Sequence, residues 1–129
     1  MARTLSLCCL LALFAVAADG APQDRLDNIN VDEVLGNRRL LKTFVQCILD
    51  EGEGRCTKEG KDLKQELPRL VETGCSDCSP RQLENGVKVL KHITENYPQE
   101  WAQMKAKYDP TGEYAKKYAD AWKQRGVTF

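Results

Sequence analysis

The sequence predicts an all-α domain, a bundle of six helices with no sheet, and three observations carry that prediction. Apolar residues recur at helical spacing in successive segments of the chain. Capping residues precede these segments, and glycine or proline follows them. No alternating apolar–polar run of useful length offers a strand.

The chain has 129 residues, room for one domain. Its first residues are expected to stand apart from that domain. Arg3 gives a small positive start, and Leu5 to Ala18 (LSLCCLLALFAVAA) is an apolar run. A bilayer span takes about 20 apolar residues, so the run is too short to cross. Ala18 and Gly20 are small residues suited to cleavage before Ala21, with cleavage before Asp19 nearly as well supported. The expected organisation is a secretory signal peptide over 1–20 and a single helical domain over 21–129, with a secreted, extracellular product.

Residues 21–27 (APQDRLD) read as a polar, extended leader. Asn28 to Gly36 forms a short first helix, with Asn30 as cap, Asp32 and Glu33 at its positive end and Gly36 as stop. Asn37 starts the second, where Leu40, Leu41, Phe44, Val45, Ile48 and Leu49 make one broad apolar face. Thr57 opens the third. Leu63, Leu67, Leu70 and Val71 form its stripe, while Lys61, Asp62, Lys64, Gln65, Glu66, Arg69 and Glu72 are assigned to the wet face. Pro68 lies inside the pattern, removes a hydrogen bond to the carbonyl of Lys64 and is expected to bend the helix. Gly74 ends it. Ser79-Pro80-Arg81-Gln82 has the composition of a capped start for the fourth helix. Leu83, Val87, Leu90, Ile93 or Thr94, and Tyr97 continue at helical spacing until Pro98. The fifth carries Trp101, Met104 and Tyr108, and Asp109-Pro110-Thr111-Gly112 makes a turn. The sixth presents Tyr114, Tyr118 and Trp122, ends at Gly126, and leaves a tail expected to fray.

The cysteines form a frame, Cys47-x8-Cys56-x18-Cys75-x2-Cys78, and Cys8 and Cys9 leave with the signal peptide. A zinc ribbon wants two short knuckles, and only Cys75-x2-Cys78 fits one. A thioredoxin-like centre would need a βαβ setting. An even number of cysteines in an oxidising compartment reads instead as disulfides, for which sequence alone allows three pairings. Neighbour pairing would leave two small local rings.

Nineteen basic and nineteen acidic side chains cancel, so no charge excess argues for nucleic acid or an anionic membrane. After the leader, no segment is apolar enough for stable membrane insertion. No active site emerges either. Ser76 and Ser79 are turn and cap residues beside the cysteine frame, and the lone His92 has no neighbouring ligands for a metal. Gly52-Glu53-Gly54 lacks the lysine of a phosphate loop. The expectation is a protein without catalytic residues, metal or cofactor, acting through its apolar faces. Packing explains most of those faces; the aromatic one, Tyr114, Tyr118 and Trp122, suits the rim of an apolar pocket.

Several short stretches follow one another between Asp27 and Tyr118. They are Asp27-Asn28-Ile29-Asn30-Val31-Asp32-Glu33, Asn37-Arg38-Arg39-Leu40-Leu41 and the cysteine frame with Cys56-Thr57-Lys58-Glu59-Gly60-Lys61. Leu67-Pro68, Lys91-His92-Ile93, Trp101 and Lys107-Tyr108-Asp109-Pro110-Thr111-Gly112-Glu113-Tyr114 complete the series. In this order and spacing the chain resembles the insect chemosensory protein family. The resemblance implies a six-helix bundle around an apolar channel, with disulfides 47–56 and 75–78. It implies a soluble carrier of long hydrophobic molecules such as fatty-acid derivatives, pheromones and odorants; a monomer is expected. Phe44 would line the channel mouth, Tyr114 and Tyr118 would close the channel and shift on ligand entry, and Trp101 would be largely exposed. Val34, Leu41, Val45, Ile48, Leu63, Leu67, Leu83, Val87 and Leu90 are the expected aliphatic walls. Two departures stand out: eight residues separate Cys47 from Cys56 where many members have six, and Leu26 replaces a tyrosine. The second tilts the expected ligand preference toward more apolar molecules. The rival reading is a secreted helical interaction or developmental factor acting through a protein surface.

Overall fold

The computed structural model describes residues 26–50, 52 and 54–129. The expected signal peptide, most of the polar leader, and Glu51 and Glu53 of the first cysteine loop lie outside the described residues. After a 3₁₀ turn at 26–28 come six helices, and there is no strand among the described residues. They are α1 (Val31–Gly36), α2 (Arg38–Leu49), α3 (Lys58–Thr73), α4 (Pro80–Asn96), α5 (Pro98–Tyr108) and α6 (Glu113–Gln124). The first therefore starts at Val31 rather than Asn28, because Asn30 is extended and its side chain accepts from the Glu33 amide.

The expected caps form. Asn37, Thr57 and Ser79 each accept a backbone N–H from three residues ahead, and Ser79 and Gln82 close a reciprocal capping box. Pro68 sits within an unbroken α3.

Two helices end in the Schellman pattern. At the end of α3 the Cys75 amide bonds to Leu70 and that of Gly74 to Val71, with Gly74 at φ 60°. At the end of α6 the Val127 amide bonds to Trp122 and that of Gly126 to Lys123, with Gly126 at φ 87°. This turn folds the residue after the glycine back onto the helix, and Val127 is only 1 % exposed. The fraying tail is therefore corrected. Phe129 continues the return, stacking on Trp101 at 5.4 Å between centroids and meeting Trp122 edge-on at 6.3 Å. The same contact corrects the largely exposed Trp101, which is half-buried.

α1 packs on α2 and α4, α2 on α3 and α5, and α5 also meets α3 and α4. The centre is Leu41 and Val45 of α2 with Ile93 of α4, wrapped by Val34, Leu35, Leu49, Val89, Tyr97, Trp101 and Met104.

Candidate functional site

Four residues of the apolar stripe of α2, Leu41, Phe44, Val45 and Ile48, are closed off from solvent, while Leu40 and Leu49 are partly covered. The stripes of α3 and α4 have the same periodicity but a different fate. Leu63, Leu67, Leu70 and Val71 of α3 and Leu83, Val87 and Leu90 of α4 are each only partly covered. The residues these two helices do bury are Gly60, Glu66, Gln82 and Ile93. Seven aliphatic side chains thus stay half-wet on helices that bury a glutamate and a glutamine. Tyr114 and Tyr118 of α6 share that intermediate burial.

α3 is held at both ends by fixed points. At one end, Cys47 and Cys56 form a disulfide with Cα atoms 4.9 Å apart, joining the end of α2 to the start of α3. The carbonyls left free at the end of α2 are satisfied by side chains from far away in sequence. Lys107 Nζ donates to the carbonyls of Ile48, Leu49 and Asp50 at 3.0–3.1 Å. Tyr108 donates its hydroxyl to the Ile48 carbonyl at 2.8 Å, and Lys64 Nζ donates to the carbonyls of Asp50 and Gly52. Two ammonium groups at the negative end of a helix also favour its dipole. Burial pushes the Tyr108 phenol pKa up.

At the other end, Cys75 and Cys78 close a ring with Cα atoms 5.1 Å apart. Glu66 lies 6 % exposed and accepts from Arg69 Nε at 3.0 Å, while Arg69 Nη1 donates to Asp77 inside the ring. Arg69 Nη2 sits 2.9 Å from the same Glu66 oxygen as an ion pair, off the hydrogen-bond direction. Burial pulls the guanidinium pKa down, but the bonds to Glu66 and Asp77 outweigh it and the net shift is upward. Glu66, Arg69 and Lys64 thus leave the wet face assigned to them and work as ties. Tyr118 packs on Gly74, where an added Cβ would fall 2.5 Å from the ring, and its hydroxyl donates to the Glu72 carbonyl at 2.8 Å. That contact lays α6 against the end of α3.

α6 starts without a capping side chain at Gly112. Asp109, buried, supplies the acceptors instead: Oδ1 takes the Tyr114 amide at 3.2 Å and Oδ2 the Ala115 amide at 2.8 Å. The stretch read only as a turn is therefore also the cap that orients Tyr114.

A cleft of about 440 Å³, open to solvent, lies on α4, lined by Pro80, Leu83, Glu84, Val87, Lys88 and Arg125. A more polar one of about 370 Å³ lies between residues 27–32 and Arg81, Glu84, Asn85 and Lys88. Of the expected wall residues, Leu83 and Val87 share the first cleft, whereas Leu41 and Val45 sit in the core with Val34 against them. Among the described residues, no group of three or more His, Cys, Asp or Glu is arranged to hold a metal, and no helix is long and apolar enough to cross a membrane.

Six short helices, two local disulfide rings and an apolar face left half-covered define a small stapled helical domain of the ligand-binding kind. The chain belongs to the insect pheromone-binding family A10/OS-D, whose model matches residues 23–116. It is 42 % identical over 118 residues to Ejaculatory bulb-specific protein 3 of Drosophila melanogaster, covering 92 % of each chain. It is similar in structure to a chemosensory protein in complex with bromo-dodecanol, with TM-score 0.65, 43 % identity, and coverage of 76 % of this chain and 96 % of that one. The antennal chemosensory protein A6 from the moth Mamestra brassicae gives TM-score 0.62 at 40 % identity, covering 78 % of this chain and 97 % of that one.

Proposed function

We propose that this chain is a secreted, soluble carrier of long-chain hydrophobic molecules, which lie along the face formed by α3, α4 and α6. One observation carries the reading: Leu63, Leu67, Leu70 and Val71 of α3 and Leu83, Val87 and Leu90 of α4 are all left partly covered, whereas Leu41, Phe44, Val45 and Ile48 of α2 are buried. A ligand that completes their cover would contribute about 0.8 kcal/mol per buried methylene, before ordering costs. Leu63, Leu67, Leu83, Val87 and Leu90 supply the wall. Tyr114 and Tyr118 lie at its aromatic edge, where a phenol offers both apolar area and a polar tip. Membership of the A10/OS-D family and the likeness to a chemosensory protein bound to bromo-dodecanol support the ligand class.

Aliphatic walls discriminate poorly by direction, so binding is expected to be broad and of about micromolar strength. Displacement of a fluorescent fatty-acid analogue by C12–C18 alcohols and acids tests the reading. Saturable displacement is expected; its absence across the series would overturn it.

A further inference from the structure

The open cleft on α4 has an apolar floor and an uncompensated cation at its edge. Leu83 and Val87, one turn apart, make the floor with Pro80. Three charged groups face it: Glu84, Lys88 and Arg125. Lys88 is engaged, 3.3 Å from Asp32 and 3.9 Å from Glu84. Among the described residues, no acidic side chain is paired with Arg125.

The backbone beneath Arg125 is fixed rather than loose. Its amide bonds to the Trp122 carbonyl at 3.0 Å, the Schellman turn follows it, and buried Val127 anchors the chain two residues on. Gly126 lies over Lys91, whose Nζ would stand 2.8 Å from a Cβ placed there. A second ammonium therefore borders the same end of α6. The cleft volume, about 440 Å³, falls within the range of roughly 300–1,000 Å³ usual for small-molecule pockets. An apolar floor ending in an unpaired guanidinium matches a molecule with an alkyl chain and an anionic head.

We propose that Arg125 is a specificity-determining residue that receives the carboxylate of a long-chain fatty acid while Leu83 and Val87 hold its chain. The proposal rests on the carrier reading and adds to it a preference for acids over the alcohols of equal length. A guanidinium meets a carboxylate through two parallel N–H donors, which a neutral hydroxyl cannot match.

The test compares dodecanoate with dodecanol at pH 7.5 in wild type, Arg125→Gln and Arg125→Lys. Arg125→Gln is expected to weaken dodecanoate about ten-fold and to change dodecanol less than about two-fold, and Arg125→Lys to recover part of the loss. Raising salt should weaken the acid alone, since Arg125 is exposed and screened. A ¹³C-carboxyl label gives an independent readout: the bound head should ionise at lower pH in wild type than in Arg125→Gln, because the cation favours the anion. Equal loss of both probes, or no loss of the acid, overturns the role of Arg125 and leaves the carrier reading standing. Wild type binding neither probe overturns both.

Discussion

The two sides of the bundle start from the same kind of sequence and reach different states. On the α2 side, Leu41 and Val45 lock against Ile93 and are wrapped by seven further apolar side chains. On the α3–α4 side, an equally regular stripe stays partly covered except at Ile93, and the other buried positions go to Gly60, Glu66 and Gln82. Periodicity tells which residues of a helix share a face; it does not tell how completely that face will be covered. Coverage is decided by what closes over it. α2 is sandwiched by α1, α3 and α5, whereas α6 and its tail meet the rest at separate points, Tyr118 on Gly74 and the Glu72 carbonyl and Phe129 on Trp101.

The largest expected contrast is in the cost of removing a leucine from each side. Leu41→Ala should destabilise by about 2–5 kcal/mol in urea unfolding, as truncations in a closed core do. Leu67→Ala should cost about 1 kcal/mol, since its site is already part-open, yet weaken ligand binding more than Leu41→Ala weakens it at matched folding. Equal costs at the two sites would break the distinction.

Next comes the contact that seats α6 on the end of α3. Gly74→Ala forces a Cβ into the Tyr118 ring at a left-handed position, and a loss of about 2–3 kcal/mol is expected from the backbone and overpacking terms together. Thermal unfolding checks it; an unchanged Tm would show that Tyr118 is not seated on Gly74.

The tie at the end of α2 should show in alkaline titration. Tyr108 ionises near pH 10 in the unfolded chain and above that when folded, because burial disfavours the phenolate. Its stabilising contribution is thus complete below about pH 10 and lost as pH rises through the folded value. Tyr108→Phe should cost about 1 kcal/mol at neutral pH and flatten that alkaline slope. A slope retained in the variant would assign it elsewhere.

The smallest effect is expected at the tail. Phe129→Ala should cost under about 1 kcal/mol, since the ring is 43 % exposed, but shift tryptophan emission to the red as Trp101 loses its cover. Unshifted emission would place the tail away from Trp101.

Much of this fold was legible in the residues, for local reasons. Asn37, Thr57 and Ser79 cap where they stand because a cap needs only the next three residues. Gly74 and Gly126 end helices for an equally local cause. What stayed hidden depends on closure in three dimensions. Val127 looked like the start of a loose tail, although a glycine stop followed by valine is the pattern that lets a Schellman turn bury it against Trp122. Lys107 and Tyr108 reach carbonyls some sixty positions earlier, and no spacing rule announces that. Glu66 read as a wet-face residue because its partner Arg69 is held in turn by Asp77, in a ring beyond the end of the helix. The apolar residues of the candidate site were all visible as stripes. Their division into buried and partly covered residues was not, because it is set by which helices pack over each stripe.

The central claim is that the half-open face is where ligand lies. Methyl-resolved NMR during titration with dodecanol tests it directly. Saturable shifts are expected at Leu63, Leu67, Leu83, Val87 and Leu90, with Leu41, Val45 and Ile93 nearly still. Shifts centred on Leu41, Val45 and Ile93, with the α3 and α4 methyls unmoved, would contradict it.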